Sequence, residues 1–304
     1  MLLIIGHLWV HISSSKPALI WSGDAISLFL ILSGYGLTRS QSSNSHNIKD
    51  FFPRRIRRIF YPYWIATAMI LGLDFFFLGR TYDFRDILLT MVGININATT
   101  RHIDYTRWFI TFILFWYIMF AISTKFQTRQ KGLLFLLIVS IVLFLVDYYV
   151  TGFGWYQIFS FWIGCAIGQA KEKLVKVIVG KTWVALAGLA TGLIVSCVYK
   201  IYIDKLFESS FPYLLMLLVR EGIAVMFSCS LLLGIIYLGK LGFTSKLLGL
   251  VGIISYELFL LHGPFLIKYN FIIRNEKVLL WFFFYLAVVC VLSAVLRRGA
   301  VALR

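Results

Sequence analysis

Long apolar runs, broken by short basic or mixed-charge stretches, dominate this chain. A membrane-spanning helix needs about 20 mostly apolar residues. By that measure the runs fall at roughly 1–12, 22–39, 60–79, 108–124, 131–151, 154–171, 182–203, 212–237, 247–267 and 278–298. The pattern predicts an all-α, polytopic membrane protein of about ten transmembrane helices. It also predicts one integral-membrane domain over 1–304, because there is no long linker, low-complexity tract or repeat. The first run is too short to span and has no basic leader, so it does not read as a signal peptide. We expect a truncated first helix, or a start codon further upstream.

Composition agrees with this reading. Of 304 residues, 60% are hydrophobic, 17% aromatic and 14% charged, whereas soluble domains are about 25% charged. The net charge of +16 would suggest nucleic acid in a soluble chain. Here the basic residues set topology, and no nucleic-acid partner is expected. Lys and Arg concentrate in 39–59, 125–131, 171–181, 239–246 and the tail. The positive-inside rule then puts those stretches and both termini in the cytoplasm. The longest outer loop, 80–107, mixes Arg80, Asp83, Arg85, Asp86, Arg101 and Asp104; it is either solvated or part of an acceptor site. Cys165, Cys197, Cys229 and Cys290 lie in apolar runs without CxxC spacing and read as small buried residues.

Ionisable residues inside the apolar runs are functional candidates, because charge in a bilayer is costly. His7 lies about 7 Å inside the outer end of its helix at 1.5 Å per residue. Asp24 opens the next helix from the same side, so the two could meet. A carboxylate beside an imidazole fixes its tautomer and raises its basicity. His7 could then take the proton of an acceptor hydroxyl during acyl transfer. The other reading is a histidine bonded to a helix carbonyl, with Asp24 as an N-terminal cap, and spacing does not choose between them. His11 lies one turn after His7, but further metal ligands are missing and no metal is expected.

Pro53-Arg54-Arg55-Ile56-Arg57-Arg58-Ile59-Phe60 is the second candidate. At about 100° per residue Arg54, Arg55, Arg57 and Arg58 fall within one arc of about 160°, with Ile56, Ile59 and Phe60 opposite. This predicts an amphipathic helix at the cytoplasmic surface. Guanidinium forks match phosphate, so the segment is a docking site for a phosphorylated donor such as coenzyme A, or an anchor on lipid headgroups. Third is Ser255-Tyr256-Glu257 to His262-Gly263-Pro264, which puts a histidine at a Gly-Pro helix break, in a core or beside an outer cavity. Arg220-Glu221 in mid-span must line a cavity or pair with other helices. Asp147 and Arg107-Trp108 are weaker signals.

These pieces, in this order, resemble the acyltransferase type 3 family of ten-helix membrane proteins. The resemblance rests on His7; on Gly23-Asp24 leading to Leu28-Phe29-Leu30-Ile31-Leu32-Ser33-Gly34-Tyr35; on Arg54-Arg55-Ile56-Arg57-Arg58-Ile59 before Pro62-Tyr63; on Trp108; and on Ser255-Tyr256 to Leu261-His262-Gly263-Pro264. It implies transfer of an acyl group, usually acetyl, from cytoplasmic acetyl-CoA to a hydroxyl of a cell-surface or lipid-linked glycan, in the bacterial cytoplasmic membrane. His7, Asp24 and His262 are then the expected catalytic group. Arg54, Arg55, Arg57 and Arg58 would hold the donor, and Ser33, Trp108 and Tyr256 the substrate. The family pairs its first-helix histidine with an arginine eleven residues upstream, a position that precedes Met1 here. Glu257 stands where a small residue is commoner, which could alter the acceptor site. The alternatives are a glycan exporter, although paired broken helices and repeats are lacking, and a catalytically weak relative.

Overall fold

The apolar runs become helices because a hydrocarbon environment leaves backbone N–H and C=O groups no partner outside their own segment. A computed structural model of the chain describes Ile4, His7 and residues 22–43, 48–96, 103–151, 157–180, 182–199, 201, 212–243, 245–269 and 278–302. Among the described residues there is no strand. Among the described residues, five helices are long and apolar enough to cross a membrane: Arg55–Leu78, Tyr105–Ser123, Arg129–Val150, Tyr213–Gly239 and Phe283–Ala302. His11, Arg101, most of the first apolar run and the Arg54 side chain lie outside the described residues.

In chain order the helices are α1 (Ser22–Ser43), α2 (Ile48–Leu78), α3 (Phe84–Met91), α4 (Trp108–Ser123), α5 (Arg129–Val146), α6 (Ser160–Gly180), α7 (Thr182–Val198), α8 (Tyr213–Lys240), α9 (Lys246–Ile253), α10 (Ser255–Gly263) and α11 (Val278–Ala302). A 3-10 turn, Tyr105–Arg107, precedes α4, and π-helical turns Asp147–Thr151 and Pro264–Lys268 follow α5 and α10. They assemble as two interleaved units, Met1–Ser45 with Ile118–Thr244, and His46–Tyr117 with Ser245–Arg304.

Three elements differ from the hydropathy pattern. The arginine-rich segment is not a separate surface helix: α2 runs unbroken from Ile48 to Leu78 through Pro53 and Pro62. Ile59 and Phe60 are buried but Ile56 is 43% exposed, so the apolar side of that turn is only partly covered. The helix expected at 154–171 starts at Ser160 and continues to Gly180. The span expected at 247–267 breaks at Ile254 into α9 and α10. Gly249 and Gly252 weaken the helix before that point, and the Ser255 hydroxyl returns to the Gly252 carbonyl at 2.9 Å.

In the first unit, small residues bring helices into backbone contact. A Cβ at Gly34 of α1 would collide with the Phe161 carbonyl oxygen, and one at Gly164 of α6 with that of Ile31. At Gly168 a Cβ would lie 2.8 Å from Thr38 Cβ. This is the small-residue packing that lets membrane helices gain contact where lipid gives no hydrophobic drive. The Ser27 and Ser160 hydroxyls bond across the same pair of helices at 2.7 Å. α7 and α8 pack in the same way, with Gly192 against Ser230 and the Ser230 hydroxyl bonded to the Gly188 carbonyl at 3.2 Å.

The glycine of the Ser33-Gly34 element is therefore a packing requirement. We expect Gly34→Val to force α1 and α6 apart and to destabilise the detergent-solubilised protein by about 1–3 kcal/mol or more. Gly36→Ala, where a Cβ meets nothing within 4 Å, should leave the unfolding temperature unchanged or raise it, because alanine favours a helix interior over glycine. Equal thermal unfolding of the two variants would refute the contact.

Candidate functional site

The second unit is built around a buried cation. Arg107, on the 3-10 turn before α4, has no exposed surface, and neither has the Asp104 carboxylate that pairs with it. Arg107 Nε donates to Asp104 Oδ2 at 3.1 Å, and Nη1 donates to the Thr67 hydroxyl of α2. The guanidinium carbon lies 4.9 Å from the centre of the Tyr63 ring. Asp104 also accepts from the Thr106 amide at 2.9 Å and its hydroxyl at 2.7 Å, which caps the turn. The pair is thus compensated on both sides, which a buried charge requires.

Tyr63 and Trp64 explain the residues that follow the arginine cluster. Helix α3 ends with carbonyls that lack intrahelical donors. The Tyr63 hydroxyl donates to the Thr90 carbonyl at 2.6 Å and Trp64 Nε1 to that of Met91 at 2.8 Å. Gly93 then turns the chain with φ +84°. Asn95 Nδ2 donates to the Tyr63 hydroxyl at 3.1 Å, and its backbone amide to the Thr111 hydroxyl at 2.8 Å. Part of the mixed-charge loop is thus drawn inward: Asp104, Thr106, Arg107 and Asn95 are all buried.

α10 brings His262 into the same unit, where it is completely buried. Its Nδ1 lies 2.7 Å from the Phe259 carbonyl. A carbonyl only accepts, so in the neutral ring Nδ1 carries the proton and the lone pair is on Nε2. α10 presses on the Arg107 turn: a Cβ at Gly263 would lie 2.6 Å from Thr106 Cγ2 and 3.2 Å from Asp104 Oδ1. The His262 carbonyl accepts from the Tyr285 hydroxyl of α11 at 2.9 Å. Phe109, Phe259 and His262 form a row of rings, 5.2 and 5.6 Å between centres.

At the far end of α2, Asp74 closes a second cluster. Its carboxylate pairs with Lys268 and accepts from the Tyr82 hydroxyl at 2.7 Å and the Tyr269 hydroxyl at 3.0 Å. Lys268 also donates to the Ile103 carbonyl at 3.0 Å. Burial holds the Lys268 ammonium below its ordinary pKa against the pull of Asp74, and burial raises the Tyr82 phenol. Every strong donor there is taken, so the cluster works as a clamp on the π-helical turn.

The other predicted residues divide between the units. In the first unit, His7 is helical and half-buried, one turn from the buried Ile4. Asp24 lies in the first turn of α1 with 6% of its surface exposed, and its carbonyl accepts from the Ser228 hydroxyl of α8 at 3.1 Å. Ser33 is half-buried beside Gly34. In the second unit, Arg57 and Arg58 are exposed at the start of the α2 span, and the Arg55 guanidinium lies 5.6 Å over the Tyr117 ring. Trp108 is half-buried against Phe112, with 6.1 Å between ring centres. The Tyr256 hydroxyl donates to the Ile59 carbonyl at 3.0 Å, tying α10 to α2 just past the arginines. Glu257 is buried and faces Arg297 of α11 at 3.9 Å, an interhelical ion pair. Glu221 of α8 accepts from the Ile158 amide at 2.6 Å and the Phe159 amide at 3.4 Å, just before α6 begins. That answers the mid-span charge question for Glu221: it serves amides that the helix start leaves without partners.

Sequence reasoning gave Arg107 little weight. Its signal was opposite charge three residues apart, Asp104 to Arg107, directly before an apolar span. The prediction is that Arg107→Met leaves Asp104 as an uncompensated buried charge and costs about 3–5 kcal/mol of stability. Arg85→Met, at an exposed position, should cost less than about 0.5 kcal/mol. Thermal unfolding of both variants in detergent checks the difference.

The acyltransferase 3 family model, described as an acyltransferase domain, matches residues 1–298. No curated protein and no solved structure matches the chain. The match takes in His7, the glycine contact at Gly34, the arginine turn of α2, the Arg107 core and the His262 helix. With an all-helical fold and membrane-length apolar helices, it leads to one statement of kinship: the chain is an integral membrane protein that belongs to the acyltransferase 3 family.

Proposed function

We propose that the chain transfers an acyl group, acetyl in the first instance, from cytoplasmic acyl-CoA to a hydroxyl of a cell-surface or lipid-linked glycan. We place it in the bacterial cytoplasmic membrane, with about ten helices and both termini cytoplasmic. The family match carries the acyltransferase reading. The observation that favours a phosphorylated donor is the first part of α2, where Arg57 and Arg58 are exposed and run without a break into an apolar span. Exposed guanidinium forks suit the phosphates of coenzyme A.

In the proposed reaction the acceptor oxygen attacks the thioester carbon. The C–O bond forms, the C–S bond breaks, and the hydroxyl proton ends on the departing thiolate. His7 is the base that carries this proton, and Asp24 orients it. His262 is a further candidate for proton transfer, and Ser33, Trp108 and Tyr256 are candidates for contact with substrate. No metal is required, because the thioester is already activated.

Membranes carrying the chain, supplied with labelled acetyl-CoA and a glycan acceptor, should acylate the acceptor. His7→Ala should abolish transfer while membrane insertion is kept; wild-type transfer by that variant would remove His7 from the mechanism. Arg57→Ala and Arg58→Ala should each raise KM for acetyl-CoA by about 10- to 100-fold, the worth of a charge-assisted hydrogen bond, with kcat little changed. If the arginine variants change only the topology, read by cysteine labelling of the loops, the cluster is a lipid anchor.

A further inference from the structure

Arg107 leaves one donor unused. Nε is held by Asp104 and Nη1 by Thr67, but the buried Nη2 has no acceptor among the described residues. The buried Thr90 hydroxyl also has no partner among them. Both residues meet Tyr63: the guanidinium lies over its ring, and the Thr90 carbonyl takes its hydroxyl at 2.6 Å. Neither Arg107 nor Thr90 has any exposed surface. Unsatisfied buried donors are uncommon and costly in folded proteins, so two beside one tyrosine call for a common explanation.

Charge decides which group would supply the acceptor. Arg107 is neutralised by Asp104, so the site has no excess positive charge to offset the desolvation of a phosphate or carboxylate. A carbonyl oxygen needs no such compensation in the ground state. It gains negative charge only as a nucleophile adds, and fixed donors in a dry site act most strongly on charge that develops in this way. We infer that Arg107 Nη2, helped by the Thr90 hydroxyl, receives the carbonyl oxygen of the acyl group being transferred. The inference rests on the acyltransferase reading and adds a catalytic residue to it. Asp104 and Thr67 are then positioning residues, since they fix the guanidinium plane and leave Nη2 pointing at the substrate. The bond changes are those of the transfer itself: while the C–O bond forms and before the C–S bond breaks, the former carbonyl oxygen bears the negative charge that Nη2 contacts.

The test uses the full chain in detergent or proteoliposomes, with acetyl-CoA as the probe. Thr90→Val is isosteric and removes a hydroxyl that has no partner in the protein, so a purely structural role predicts equal or higher thermal stability and unchanged activity. We expect that stability together with a kcat about tenfold lower, because a donor aimed at the oxyanion is lost. Arg107→Lys keeps the charge beside Asp104 but loses the fork; we expect kcat to fall about a hundredfold or more, with KM for acetyl-CoA within about threefold. Wild-type turnover by both variants would assign the open donors to a buried water and overturn the inference, leaving the acyl-CoA reading intact. A wild-type protein that neither binds acetyl-CoA by calorimetry nor turns it over would overturn the donor reading and this role with it.

Discussion

A polar group inside a membrane protein has no water to turn to, and most features of this chain follow from that constraint. The two units meet it differently. In the first, helices come so close that backbone carbonyls face glycines, and serine hydroxyls bond across the contact. The carboxylates of Asp24, Asp147 and Glu221 are buried there, and Glu221 is held by amides just before α6. In the second, ion pairs add to the packing. Asp74 with Lys268 and Glu257 with Arg297 join separate stretches of sequence, and Arg107 with Asp104 closes the turn before α4. Removing one partner from such a pair exposes the full desolvation cost of the other. This makes the second unit electrostatically specified and the first sterically specified.

The fold class was legible because hydropathy is a property of the sequence itself. The details that fix the site were not, because they depend on distant partners. Pro53 and Pro62 read as helix punctuation, yet α2 continues through both. Near Pro62 one tertiary contact, the Tyr256 hydroxyl on the Ile59 carbonyl, and one contact within the helix, Phe60 on Trp64, support the chain. Ser33-Gly34 looked like a chemical motif, yet the glycine is explained by the Phe161 carbonyl, which lies far along the chain. His262 was visible as a histidine at a Gly-Pro break, and the structure adds its proton placement through the Phe259 carbonyl.

Asp104 and Arg107 show the limit most clearly. Opposite charges three residues apart in a loop look the same whether the loop is solvated or buried. Burial is decided by Thr67, forty residues away in the sequence, and by the Tyr63 ring. Tyr63 and Gly263, which do pack around this turn, stood out in the sequence without that reason being visible there.

These described arginines stand in two electrostatic settings. Arg57 and Arg58 at the start of α2 are exposed, with no acid in the adjacent stretch 51–60, and retain their net charge. Such a site can attract a polyanion from water over about a Debye length, where screening limits but does not abolish the field. Arg107 is dry and neutralised by Asp104, so it exerts almost no long-range field. What it retains is a local dipole with a fixed direction. On the proposed reading, long-range charge would collect a phosphorylated donor, and a short-range dipole would act on charge that exists only while bonds are changing. A transferase needs both, and one arginine cannot supply both, because exposure weakens the dipole and burial without a counter-ion is too costly. Placing the arginines at different depths resolves that conflict.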